Sequence, residues 1–266
     1  MNIAAKAVMA ALVLCAAASP AQAAEGFLMV EKTTTGTSTR TTQVQIEPQR
    51  MRAEMSGAAG STQVVVFDAQ QQVLRIISMD RKSYTELTKA DADRMGAQVS
   101  AAMEGMKEKM AQMPPEQRAK MEALMSRIGG APGVPVVKPD FRPTGTDKVG
   151  KWTCAKYEGF RNNEKTSEVC TVDPKVLGLT AADFEISKQV SAFFKTMLPQ
   201  AGDQIVGVGT LETQGFEGLP IRRISYRDGK VVSTSEVVNV GRQTFPASSY
   251  EVPEGFTKQA GLPGAK

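Results

Sequence analysis

A methionine-rich helical segment near the middle of the chain constrains the fold more than any other feature. Seven of the fourteen methionines fall between Met95 and Met125, whereas the sequence on either side is patterned mainly like β-strands. Thr88 and Asp91 form an acidic variant of the capping box, which predicts a helix that begins at Thr88. The fold must therefore accommodate a helical insertion at about 88–128 in a β-rich chain.

Apolar side chains recur along this insertion at the spacing of an α-helix. From Met95 the steps are four, four, three, four and three residues, so six side chains share one face over about 27 Å. Pro114 and Pro115 end this helix, and Gly129 and Gly130 end a shorter second one. The predicted apolar face consists of Met95, Val99, Met103, Met106, Met110, Met113, Met121 and Met125.

Four roles are open for this face. It suits an ordinary amphipathic helix packed on the sheet. It also suits a lid over a cavity, because the unbranched, polarizable methionine side chain adapts to apolar ligands of varied shape. Met103, Met106, Met110 and Met113 place thioethers one turn apart, a spacing suited to Cu(I). Exposed methionines can also act as oxidation scavengers or switches.

The first 23 residues have the pattern of a cleaved secretory signal. Lys6 provides positive charge, residues 7–18 form an apolar run too short to span a bilayer, and residues 21–23 read Ala-Gln-Ala, a typical cleavage site. We therefore expect a periplasmic or secreted protein that begins at Ala24 and has no stable membrane insertion.

The two cysteines that follow the signal predict a disulfide. Cys154 and Cys170 lie in strand-like segments joined by a turn at 161–163, and an oxidising periplasm would keep such a bridge formed. A redox role would call for a C-x-x-C pair or a histidine, and the chain has neither. The expected register opposes Trp152 to Val172, Cys154 to Cys170, and Lys156 to Glu168.

The rest of the pattern predicts an α+β fold. Residues 50–55 alternate polar and apolar side chains, which indicates a strand with one wet face, whereas the continuous apolar run at 64–67 indicates burial on both faces. A second helix is predicted at about 180–200. Asp228-Gly229 predicts a type I′ hairpin turn, and a last strand is expected near 249–252.

We expect a strongly curved antiparallel sheet or open half-barrel whose concave face is covered by the two helical regions. The length remaining after the signal fits a single β-rich domain at 24–256. A frayed tail is expected at 257–266.

The composition argues against several classes of function. The chain contains no histidine, which removes the serine and cysteine triads and the imidazole metal sites. Gly-x-Ser-x-Gly and Ser-x-x-Lys motifs are also absent. The formal net charge of +4 comes from scattered residues rather than from a basic stripe with aromatics, which argues against nucleic-acid binding. We expect no enzymatic activity and no cofactor.

Several stretches carry a resemblance to known families. They are the segment Arg50–Met55, the strand that ends at Phe67-Asp68, Lys82-Ser83-Tyr84, the segment Met113–Arg118 and the hairpin with Cys154 and Cys170. Together they resemble a family of exported bacterial proteins known as a domain of unknown function, which implies no activity. The order of elements and the closing segment 251–256 also resemble the periplasmic lipoprotein carriers of the LolA type. That resemblance implies an open half-barrel with a helical lid over a cavity for acyl chains.

The resulting hypothesis is a carrier or sensor of an apolar or amphiphilic, lipid-like ligand beneath a methionine-rich lid. One alternative is a Cu(I)-binding protein that uses Met103, Met106, Met110 and Met113. The other is an envelope interaction protein with no small ligand. The sequence identifies no protein partner.

Overall fold

The computed structural model describes residues 24–57, 60–118, 120, 139–197 and 215–261. Within these ranges the chain forms twelve strands and two long helices, together with 3₁₀ turns at Pro174–Leu177 and Ala247–Tyr250. The helices are α1 (Lys89–Ala111) and α2 (Ala181–Met197). The strands are β1 (Ala24–Thr35), β2 (Ser38–Ile46), β3 (Arg50–Ser56), β4 (Thr62–Asp68), β5 (Val73–Ser78), β6 (Ser83–Thr88), β7 (Asp140–Val149), β8 (Trp152–Arg161), β9 (Glu164–Val172), β10 (Leu219–Arg227), β11 (Lys230–Phe245) and β12 (Thr257–Lys258).

All twelve strands belong to one open sheet in the order β12-β6-β5-β4-β3-β2-β1-β11-β10-β9-β8-β7. Strands β1 to β6 form one meander, strands β7 to β11 form a second, and β11 pairs with β1 to join them. Every pairing is antiparallel except that of β12 with β6. The predicted α+β class and the open, mainly antiparallel sheet are therefore confirmed.

The main hydrophobic core lies between α2 and one face of the sheet. Phe67 of β4 and Phe193 of α2 meet edge to face with ring centroids 5.5 Å apart. Both the helix and the strands contribute buried apolar side chains, which pack closely against one another. These include Phe27, Ile46, Leu74, Leu87, Ile186, Val190, Phe193 and Met197.

The opposite face of the β1–β6 meander is covered by the C-terminal strap, which we define as residues 246–261. Tyr250 of the strap is buried with Val64, Val66 and Ile77 of the sheet, and Phe256 packs against the same cluster. This confirms that the apolar run at 64–67 is buried on both faces. It also partly covers β3, whose Arg50 stacks on the Tyr250 ring at 4.5 Å, so the face predicted to be wet at 50–55 is half-buried.

The end of the strap pairs with the edge of the sheet. Thr257 lies opposite Ser83 in the parallel β12–β6 pair, and the Thr85 hydroxyl donates to the Gly261 carbonyl at 3.0 Å. The expectation of a frayed tail is therefore corrected for 257–261. The strand expected near 249–252 is also corrected, because residues 247–250 form a 3₁₀ turn and residues 251–252 are not in a strand.

The predicted disulfide is present, and its register differs from the expected one. Cys154 and Cys170 are bonded and almost fully buried. The strands are joined by the two-residue turn Asn162-Asn163, in which both φ angles are positive. On β8, before this turn, the pairing has a bulge between Gly159 and Phe160. Cys170 consequently lies opposite Lys156 instead of Cys154. A shift of two residues keeps each side chain on its original face, so the cysteines still meet diagonally.

The helical predictions hold within the described residues. Thr88 caps α1 in the predicted capping box with Asp91. The helix ends at Ala111, just before the two prolines, and residues 115–118 are again helical. The predicted type I′ turn joins β10 to β11, with positive φ at Asp228 and Gly229. The signal at 1–23, together with Met121 and Met125, lies outside the described residues.

Candidate functional site

Helix α1 is fixed to the rest of the molecule by its first two turns. Thr88 and Asp91 exchange hydrogen bonds at the start of the helix. The hydrogen bonds that Thr88 donates lower the pKa of Asp91, and the charge of Arg94 lowers it further. Ala92 and Gly96 are the buried residues of the helix. This short anchored part joins α1 to β6 and to α2.

Gly96 is a point of close contact between the two helices. A Cβ atom placed on Gly96 would lie 2.0 Å from the carbonyl oxygen of Thr196 on α2, so only glycine permits this approach. Met95, next to Gly96, packs against the main core. The other described residues of the predicted apolar face do not. Packing by the methionines was one of the roles that the sequence left open, and the part played by Gly96 was not predicted. The signal was a small residue beside the apolar stripe.

Beyond Met95 the predicted apolar face leaves the core. Met106 is 38% exposed. Val99, Met103, Met110 and Met113 are each partly exposed, and none belongs to either hydrophobic cluster of the described residues. The distal half of α1 therefore carries a row of five partly exposed apolar side chains that lie outside the hydrophobic clusters formed by the described residues. We call Val99, Met103, Met106, Met110 and Met113 the methionine face.

The end of α1 is held by a side chain from the helical turn that follows. The Arg118 guanidinium donates to the carbonyl oxygens of Met110 at 3.1 Å and of Ala111 at 2.9 Å. The carbonyls of the last turn of a helix lack partners within the helix, and here that of Met110 also accepts from the Met113 N–H at 3.2 Å. A cation at this end also complements the helix dipole. Arg118 thus ties the helical turn at 115–118 to the end of α1, next to the last residues of the methionine face.

A cavity of about 250 Å³ lies at the end of the sheet formed by the β3–β4 and β5–β6 turns. Its polar groups are joined to one another: the Arg81 guanidinium donates to the Ser78 hydroxyl at 2.9 Å, and this hydroxyl donates to Asp80 at 3.1 Å. Such a lining does not suit an acyl chain. The cavity is lined by Arg40, Met55, Gly57, Ser61, Thr62, Gln63, Ser78, Asp80 and Arg81.

The described residues contain no group of three or more His, Cys, Asp or Glu side chains placed to bind a metal ion. Thioether binding of Cu(I) by Met103, Met106, Met110 and Met113 stays a prediction. Over the same part of the chain, neither helix combines the length and apolar character needed to cross a bilayer.

No family model matches the chain, and no curated protein matches it significantly. Among solved structures, an uncharacterized conserved protein from Thermus thermophilus is 9% identical, with a TM-score of 0.44 over 88% of this chain and 89% of that one. MucB in complex with MucA(peri) is 11% identical, with a TM-score of 0.35. The MucA/MucB complex of Pseudomonas aeruginosa is 10% identical, with a TM-score of 0.36. The chain spans 54% and 56% of these two MucB-complex chains.

Proposed function

We propose that this is an exported binding protein for an apolar or amphiphilic, lipid-like ligand, and that the methionine face of α1 contacts the ligand. The supporting observation is that α1 is anchored through Ala92 and Gly96, while its distal apolar residues lie outside both hydrophobic clusters of the described residues. Partly exposed apolar side chains grouped on one helix face, with Met106 the most exposed of them, suit contact with an apolar ligand. Methionine suits such a site because it adapts to varied apolar shapes.

The packing under α2 restricts where the ligand binds. The space between α2 and the sheet is occupied by buried side chains, including Phe193 and Met197. We therefore assign the ligand to the distal half of α1 rather than to the core beneath α2. In the architecture that we propose, a half-barrel with helices over its concave face, α2 supports the structure and the distal part of α1 is the lid.

Export is part of the proposal. The buried disulfide is compatible with an oxidising compartment, where such bonds persist. The signal-like pattern of the first 23 residues supports the same location. The proposal includes neither enzymatic activity nor a resident cofactor.

Dye binding to matched variants tests the proposed ligand surface. The neutral dye N-phenyl-1-naphthylamine becomes fluorescent in apolar sites and serves as the probe. Changing Met103, Met106 and Met110 together to Gln keeps side-chain length and helix propensity but removes apolar contact. Three partial contacts of about 0.5 to 1 kcal/mol each predict at least about tenfold weaker binding.

Met79 provides the control for this experiment. It is 38% exposed, as Met106 is, but it lies in the turn between β5 and β6. Met79→Gln should bind the dye as wild type does. Failure of wild type to bind the dye, or equal binding by wild type and the triple variant, would contradict the proposal.

Substitution by leucine separates the ligand role from a role of the sulfur atoms. Changing Met103, Met106, Met110 and Met113 to Leu keeps an apolar face but removes every thioether from it. We expect this variant to retain dye binding to within about threefold, because most of the apolar area remains. If this variant keeps its affinity for the dye but loses Cu(I) binding, the thioethers are needed for the metal and not for the apolar ligand. Loss of dye affinity in the leucine variant would contradict an apolar role for this face.

A further inference from the structure

Arg223 stands apart from the other partly buried arginines of the described residues. Each of the others has an acceptor at hydrogen-bond distance: Arg50 has Glu47, Arg52 has Glu54, Arg75 has Glu86, Arg118 has backbone carbonyls, and Arg222 has Asp147. Arg223, next to Arg222 on β10, has no hydrogen bond or ion pair with any described residue. Its five N–H donors are therefore free of protein acceptors in this part of the chain.

Within the part of the chain that the structure describes, the charge of Arg223 is only partly compensated. Burial lowers the pKa of Arg223, and the charge of Glu31 opposes this change without reaching ion-pair distance. Val169 and Ser235 lie opposite Arg223 on the two neighbouring strands, and the Ser235 hydroxyl is already hydrogen-bonded to that of Thr33 at 2.7 Å. A partly desolvated cation with no described acid at ion-pair distance costs free energy, which an anion at this point would recover.

Aromatic rings form one side of this position. The Arg223 guanidinium lies over the ring of Phe216, 5.6 Å from its centroid, in a contact that consumes no N–H donor. Phe216 is buried and meets Phe141 edge to face at 4.9 Å, and Tyr157 lies 6.0 Å from it. A cation with free donors thus adjoins an apolar aromatic cluster.

We infer that Arg223 binds the anionic headgroup of an amphiphilic ligand, a carboxylate or a phosphate, while the aromatic cluster of Phe141, Tyr157 and Phe216 contacts the adjoining apolar part. A guanidinium matches both anions, since two of its N–H groups can donate in parallel to two oxygens. This inference rests on the proposed function and specifies the charge of the ligand.

Competition between lipids for the dye-bound protein tests the inference. The competitors are oleate, oleoyl lysophosphatidate and the uncharged oleyl alcohol, each below the concentration at which it aggregates. Wild type should bind at least one of the two anions about tenfold more tightly than the alcohol, and the better anion identifies the headgroup. Arg223→Gln should abolish this preference while affinity for the alcohol stays within about twofold.

Arg222→Gln is the matched control, because it removes the neighbouring arginine that is paired with Asp147. It should keep the preference for the anion. Equal affinity of wild type for the anions and the alcohol would overturn the inference and leave the proposed function in place. Absence of binding by the dye and by all three lipids would overturn both.

The stability of the variant provides a second readout. If Arg223 serves a ligand, Arg223→Gln should unfold at the same urea concentration as ligand-free wild type or at a higher one, since an uncompensated charge has been removed. A lower midpoint, accompanied by loss of binding to the alcohol, would identify Arg223 as a structural residue and overturn the inference.

Discussion

At the scale of single residues, Asp183 shows how one carboxylate joins a helix to the sheet. It accepts hydrogen bonds from the backbone N–H and the hydroxyl of Thr180, at 2.7 and 2.8 Å, at the start of α2. It also accepts from Arg242 of β11, whose guanidinium donates as well to the Gly178 carbonyl at 3.1 Å. Because Asp183 is only 8% exposed, these bonds are poorly replaced by water.

The pKa of Asp183 makes this junction sensitive to acid. Burial acts to raise the pKa, but the hydrogen bonds from Arg242 and Thr180 outweigh it, so the pKa falls below its ordinary value of 3.8. A lowered pKa contributes stability that is complete above the unfolded-state value and is lost as the pH falls through the folded-state value. The contribution should therefore be present at neutral pH, begin to decline near pH 3.8 and be lost as the pH falls through the lowered pKa of folded Asp183.

We predict that Asp183→Asn lowers the free energy of unfolding by about 2 kcal/mol at pH 7. The difference from wild type should shrink as the pH falls below 3.8, because wild type then protonates Asp183. Urea unfolding at a series of pH values measures both effects. Asp93→Asn is the control, since its ion pair with Lys89 is more than half exposed and should contribute less than about 0.5 kcal/mol. Parallel curves for Asp183→Asn and wild type across the acid range would refute this account.

At the scale of elements, two glycines of α1 have opposite environments. Gly96 touches the backbone of α2, whereas a Cβ atom on Gly105 would meet nothing within 4 Å. Alanine is the better helix former by about 1 kcal/mol in an open position. In a position without space, the added methyl group forces the helices apart at a cost of about 1 to 3 kcal/mol.

We therefore predict changes of opposite sign for the same substitution on one helix. Gly105→Ala should raise the free energy of unfolding by up to about 1 kcal/mol, and Gly96→Ala should lower it by at least about 1 kcal/mol. Urea unfolding followed by circular dichroism measures both. A stabilising Gly96→Ala variant would mean that α1 does not pack on α2 at this point.

The elements also show what the sequence can predict. The start of α1 was predictable because Thr88 and Asp91 lie within one turn and act locally. The cysteine pair was predictable because facing side chains follow the two-residue period of strands. The register of that hairpin was not, because it depends on the bulge next to Gly159. Nor could the pattern reveal how far the methionine face leaves the core, since that depends on where α2 lies.

At the scale of the whole molecule, the largest unpredicted feature is the C-terminal strap. It crosses the outer face of the β1–β6 meander and pairs Thr257 with Ser83, far away in the chain. Because only Thr257 and Lys258 pair with β6, the strap has no strand long enough to show the alternating pattern of a β-strand in the sequence. The same limit applies to Arg223, whose lack of an ion-pair partner among the described residues becomes apparent only when the neighbouring strands are in place. Local patterns thus predicted the elements and the class of fold, but long-range contacts determined the candidate site.

The central claim is that the protein binds a lipid-like ligand, and mass spectrometry of the protein purified from a bacterial periplasm tests it most directly. Native spectra of wild type should contain a species carrying an additional lipid mass, identified after solvent extraction. The Met103, Met106 and Met110 to Gln variant should lack most of it. Wild-type protein that carries no lipid mass, and that acquires none when incubated with oleate, oleoyl lysophosphatidate or oleyl alcohol, would contradict the claim.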